Sequence, residues 1–168
     1  MTRIAIEHML VLLNLSFDGQ NAHSLLGNIR DVRPADWDWA PPGGDRTIRQ
    51  ILEHAAIAKH LYTEHMFGAA RRSYDDVRNE SPARTSPSEN DALLEWARAG
   101  HRAFVAGVAS MEDAGLDAAT RRHYGAIATK ASVIGAMIQH DCYHAGEINH
   151  LRALCQHDDA WWSGLTDG

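Results

Sequence analysis

The chain has 168 residues, 45% hydrophobic and 23% charged, a composition that fits one folded domain with a full core and excludes a disordered chain. A formal net charge of −6, with no long Lys/Arg run, argues against nucleic acid as the main partner. Two cysteines, Cys142 and Cys155, make no disulfide framework, and no apolar run approaches the roughly 18–20 residues of a membrane span. Glu7 and His8 break the apolar start, so no signal peptide is read, and a soluble cytoplasmic protein is expected.

In chain order, apolar groups at helical spacing (Ile6, Leu10, Leu13, Phe17, Leu25, Ile29) predict a first helix from about Thr2 to Ile29. Arg33-Pro34 ends it, because the residue before a proline is pushed out of the α region. Residues from about 31 to 46 read as a loop in which Trp37 and Trp39 plug the end of a bundle. Asp45 or Thr47 starts a second helix running to about Gly68, with Ile48, Ile51, Leu52, Ala55, Ala58, Tyr62 and Met66 on its core face.

The stretch from 71 to 88 is polar, contains Pro82 and Pro87, and is expected to be a mobile connection. A third helix is predicted from about Glu89 to Met111, with Ser88 and Asp91 resembling a weak capping arrangement. Residues 112–128, with Gly115 and Gly125, have room for an extended piece or a short hairpin; Thr129 then caps a fourth helix reaching about Gln156. The tail from 157 carries Trp161-Trp162, placed to dock on the bundle or on a second subunit. Four long amphipathic helices in a single domain, 1–168, predict an all-α four-helix bundle.

Eleven histidines are well above ordinary usage, so most are read as surface residues. His60 lies opposite the apolar centre of the second helix, and His8, His23, His101, His123, His150 and His157 have no partner at ligand spacing. His140 and His144 differ. At 100° per residue His140, His144 and Glu147 fall within about 60° on one face, inside a stripe of Val133, Met137, Ile148, Leu151 and Leu154. Burying two imidazoles without partners costs roughly 1–3 kcal/mol for each unsatisfied group, and a shared metal ion removes that cost. The pattern is not the His-Glu-x-x-His of zinc peptidases, because Asp141 stands where the glutamate base belongs. Asp141 is instead a candidate N–H acceptor for a ligand histidine. His54 sits on the flank of the second helix's core face and can lean inward, as a packed boundary residue or as a third ligand. His65 shares its helical angle but lies ~16 Å along the axis, too far for both to bind one ion.

Three features together resemble the DinB/YfiT-like superfamily. They are a Trp-x-x-Pro-like loop from Trp37 to Pro42, the histidine in Thr-Ile-Arg-Gln-Ile-Leu-Glu-His, and His-Asp-x-x-His-x-Gly-Glu-Ile on the last helix. The resemblance covers nearly the whole chain from the first helix to about Leu154. It implies an up-down-down-up bundle, often dimeric, with a divalent metal held by His54, His140 and His144. The chain departs from the family pattern in Glu147, where many members have Gln, and in Ala145-Gly146, where the last ligand is often followed by Arg-Gly.

Three neutral imidazoles leave a divalent ion its charge and an open position, the arrangement of catalytic zinc. Zinc or nickel is the expected ion, activating water for hydrolysis or a low-molecular-weight thiol for transfer. Relatives that use bacillithiol, mycothiol or glutathione give the resemblance its thiol S-transferase implication. Glu147 is the candidate base or fourth ligand, and Tyr143 a candidate hydrogen-bond donor at the pocket rim. A small-molecule substrate and a homodimer are expected, with no nucleic-acid or membrane partner. The rival readings are a non-catalytic metal-binding or ligand-binding helical dimer, and a small-ligand sensor.

Overall fold

A computed structural model of the chain describes residues 3–20, 22–44, 46–85 and 90–157, with side chains at 84 and 85 left out. Its long elements are α1 (Ile4–Asp18), α2 (Ile48–Phe67), α5 (Asn90–Ala109) and α6 (Lys130–Gln156). Two short helices, α3 (Tyr74–Asn79) and α4 (Pro82–Thr85), and an antiparallel hairpin of β1 (Ala119–Arg121) and β2 (Ile127–Thr129) fill the connections. The fold is all-α, with a small hairpin at one end.

Local chemistry sets the helix starts. The Thr47 hydroxyl accepts from the Gln50 N–H at 3.3 Å while the Gln50 side chain accepts from the Thr47 N–H at 3.0 Å, a reciprocal cap on α2. Thr129 caps α6 as expected, accepting from the Ser132 N–H at 3.2 Å. The start of α1 is capped from a distance: Asp113 accepts from the N–H groups of Ala5 and Ile6 at 3.2 and 3.0 Å.

The first helix is shorter than its periodicity predicts, ending before Gly19 rather than at Ile29. Beyond Gly19 the chain turns back, and the N–H groups of Leu25 and Leu26 bond the carbonyls of Ser16 and Phe17 at 2.9 and 2.8 Å. Ser24 and Asn28 take their bonds locally, the Ser24 hydroxyl donating to Gly19 O at 2.6 Å, and such bonds compete with helix. Leu25, Leu26 and Ile29 are nonetheless buried, so their spacing records a core and not a helix.

The contacts between helices give the topology. Ile51, Leu52 and Ala55 share a core cluster with Ile148 and Leu151, whereas Ala58, Tyr62 and Met66 share one with Val133, Ile134 and Met137, so α2 and α6 are antiparallel. Phe17 joins the first cluster and Ile6 and Leu13 the second, so α1 runs parallel to α6. Arg3 donates to the Ala109 carbonyl at 2.9 Å while Asn14 meets His101 at 3.2 Å, making α1 and α5 antiparallel. His60 stacks on Trp96 and Phe67 packs on Phe104, so α2 and α5 are parallel. The order is up-down-down-up. A Cβ on Gly107 would collide with the Phe67 ring, which is why glycine stands where α5 closes on α2.

Trp37 is buried over one end of the bundle with Trp39 packed beside it, as plugs. The polar stretch after α2 is not a bare connection: Ser73 and Asp76 form a capping box that starts α3. Ser88 and the Trp161-Trp162 pair lie outside the described residues.

Candidate metal centre

His54 projects from the second turn of α2, and His140 and His144 from successive turns of α6. The antiparallel packing of α2 on α6 brings the three rings together, and their ligand atoms all lie within 4.8 Å of one another. His140 Nε2 stands 3.2 Å from His54 Nε2 and 3.2 Å from His144 Nε2. The edge of a tetrahedron of nitrogens around an ion at 2.0–2.1 Å is about 3.3 Å, so the spacing fits a first-row divalent ion.

The outer nitrogens decide which lone pairs face inward. With Nδ1 protonated, His144 donates to Glu147 Oε2 at 2.6 Å, leaving its Nε2 a bare acceptor. His54 Nδ1 lies 3.4 Å from the Tyr74 hydroxyl. His140 Nδ1 is buried with no hydrogen-bond partner among the described residues. Burial first, then the neighbouring His144 and Arg46, lowers the pKa of His54. Burial, with His144 and His54 beside it, holds His140 down to about 3. Both rings are therefore neutral at pH 7 and offer lone pairs. Three acceptors aimed at one point, with few protons to share, make a donor set that suits a cation.

One residue further along α6, Asp141 does not serve a ligand histidine as the sequence suggested. It is fully buried and its Oδ2 pairs with Lys59 Nζ of α2 at 2.7 Å, with the Ser16 hydroxyl at 3.4 Å. Burial raises the Asp141 carboxyl, and Lys59 acts against that rise. The lysine ammonium also sits over the rings of Phe104 and Phe17, 5.5 and 5.9 Å from their centroids. Lys59 escaped the sequence reading; its signal was a charge inside the Ala55–Tyr62–Met66 stripe. The ion pair fastens α2 to α6 within two turns of the histidines.

Other assignments change in detail. Glu147 lies beside His144 as its hydrogen-bond partner, with 28% of its side chain exposed. Tyr143 is 64% exposed, its ring edge-on to His144 at 5.1 Å, so it is not a packed bundle residue. Tyr74, which the sequence did not single out, brings its hydroxyl to 3.4 Å from His54 Nδ1. His60, expected on the surface, is half-buried against Trp96 and meets the Trp96 carbonyl at 3.0 Å. His65 stays apart, bonding the Arg72 carbonyl at 3.0 Å. Cys142 and Cys155 are free thiols.

A cleft of about 720 Å³ opens beside His54, walled by Tyr74 and Arg78 of α3 and by Arg46, Arg49, Asp38 and Glu53 at the head of α2. Its volume suits a small molecule. Among the described residues no helix is long and apolar enough to cross a membrane. The family model of the DinB superfamily matches residues 18–148, which include all three histidines. No curated protein matches the chain.

Proposed function

The chain belongs to the DinB superfamily, and on that premise we propose that it is a metal-dependent enzyme, a hydrolase or a low-molecular-weight thiol S-transferase. The observation that carries the reading is the convergence of His54, His140 and His144, with His140 Nε2 3.2 Å from the Nε2 of each of the other two, beside an open cleft. A divalent ion held there, zinc or nickel, would supply a positive charge that lowers the pKa of a bound water or thiol toward neutrality.

The protein's own groups do the remaining work. Glu147 fixes the tautomer and tilt of His144, so it is a positioning residue, and it is also a carboxylate beside the site able to take a proton from a bound water or thiol. Tyr74 steadies His54 and presents its hydroxyl to the cleft, the rim role that sequence reasoning gave to Tyr143. The cleft walls exclude bulk water on one side and orient a small-molecule substrate.

Elemental analysis of protein purified without added metal tests the reading. Near-stoichiometric zinc or nickel, lost in His140→Ala, is expected; protein with no transition metal and unchanged behaviour in that variant would sink it. A thiol-dependence assay over a panel of electrophiles then separates transfer from hydrolysis.

A second reading, a non-catalytic metal-binding dimer, draws support from the row of exposed apolar groups on α1: Ile4, Val11 and Leu15, 72%, 55% and 47% exposed. The homodimer belongs to both readings, and a cytoplasmic setting to both. Chelation distinguishes them, because a structural ion holds the bundle together while a catalytic one leaves it folded when removed.

A further inference from the structure

Beside the histidines the cleft carries charges that ligand chemistry does not use. Arg49 is already committed. Its Nε and Nη2 grip Asp38 at 2.7 and 3.0 Å, and its buried guanidinium lies 5.7 Å from the Trp37 ring centre. Arg46, just before the cap of α2, and Arg78, in the last turn of α3, are exposed on the same cleft. Among the described residues neither has a carboxylate within ion-pair distance. Arg46 acts electrostatically on His54 and Tyr74, and Arg78 on Tyr74, where Glu53 and Asp75 act with the opposite sign; both arginines line the cleft that His54 and Tyr74 share.

The balance of charge follows. Among the described residues, three arginines and two carboxylates, Asp38 and Glu53, line the cleft, and Asp38 is matched to Arg49. An ion on three neutral histidines would keep most of its own charge. The cleft is therefore positive from its wall and from its floor. A guanidinium is a planar fork whose paired N–H groups match the two oxygens of a carboxylate or phosphate.

We propose that Arg46 and Arg78 clamp an oxyanion, carboxylate or phosphate, at the far end of the substrate and so aim its reacting end at the His54 side of the cluster. The proposal rests on the metal reading of that site. It makes the substrate an acidic small molecule, and it makes the two arginines specificity-determining.

The test uses the full chain loaded with zinc and three hydroxamates that share one chelating head and differ in a short tail ending in carboxylate, phosphonate or amide. Calorimetry on the wild type is expected to show the carboxylate or the phosphonate bound about tenfold tighter than the amide; the tighter of the two names the oxyanion. In R46Q/R78Q the advantage falls to about twofold or less, while zinc affinity and melting temperature hold, as expected for exposed side chains. Equal binding of all three tails by the wild type, or an acidic preference that survives in R46Q/R78Q, would overturn the clamp. If zinc itself fails to bind, the metal reading fails separately. The arginines are then judged on the metal-free chain with glutarate and its diamide, where the same preference, lost in R46Q/R78Q, supports the clamp and its absence refutes it.

Discussion

Two polar intrusions interrupt the apolar seam between α2 and α6, and they are built on opposite rules. Lys59 and Asp141 are complementary charges, both 0% exposed, closed on each other at 2.7 Å and roofed by Phe17 and Phe104. His54, His140 and His144 are like groups, each turning an acceptor to the same point, with one outer nitrogen left without a partner. Although Asp141 Oδ1 keeps no hydrogen-bond partner among the described residues, the first set answers its own charge requirement inside the fold. The second set cannot do so with the protein's own atoms. Burial alone does not separate a structural polar group from a binding one; complementarity does.

The comparison can be broken most forcefully at the ion pair. Lys59→Met leaves a buried carboxylate uncompensated, and chemical denaturation should show a loss of about 3–5 kcal/mol. Lys59→Met combined with Asp141→Leu should recover most of it; a neutral single variant would mean that the pair is not closed. Next comes the open set. His140→Ala should weaken zinc binding by more than ~100-fold in a chelator competition, while the metal-free protein keeps its stability within about 1 kcal/mol. Glu147→Gln should cost ~10–100-fold in zinc affinity with little change in stability, the mark of a group that acts through His144.

The smallest effect concerns acid. His101 stacks on Phe17 at 4.0 Å, on the closed side of the comparison, and burial with Lys59 nearby lowers its pKa to about 3. Unfolding lets it regain a proton below its ordinary 6.5, so its contribution is intact above pH 6.5 and is lost progressively as pH falls toward 3. His101→Phe, which keeps a stacked ring, should flatten this limb of the stability profile by at most ~1.4 kcal/mol per pH unit. An unchanged acid limb would show that His101 is not buried in neutral form.

What could be read in the sequence was whatever depends on neighbours in the chain. Helix α6 was legible from its cap at Thr129 to Gln156, and His140 and His144 with it, because Val133, Met137, Ile148 and Leu151 recur at helical spacing and are buried. His54 was legible as an inward-leaning flank residue. Leu25, Leu26 and Ile29 misled, since apolar spacing reports burial and a coil of turns can bury them equally well. Lys59 escaped the sequence reading and Asp141 suggested a histidine's acceptor, and only the packing of α2 on α6 explains both. Tyr74 sat in a polar stretch whose position over His54 is set by topology, which no local pattern records.

That topology has one more effect. Because α2 and α5 run the same way, the chain between Phe67 and Asn90 has to climb back along the bundle, roughly 30 Å for a helix of that length. The climb carries Tyr74, Arg78 and Ala83 up to the cleft. Floor and wall thus come from different parts of the chain: a floor on the first turns of α2, which carry His54, and, on one side, a wall on a return strap. Lengthening or reshaping the strap would change which molecules the cleft admits without moving a ligand nitrogen. Two antiparallel helices joined by a short turn would offer no such exchangeable part.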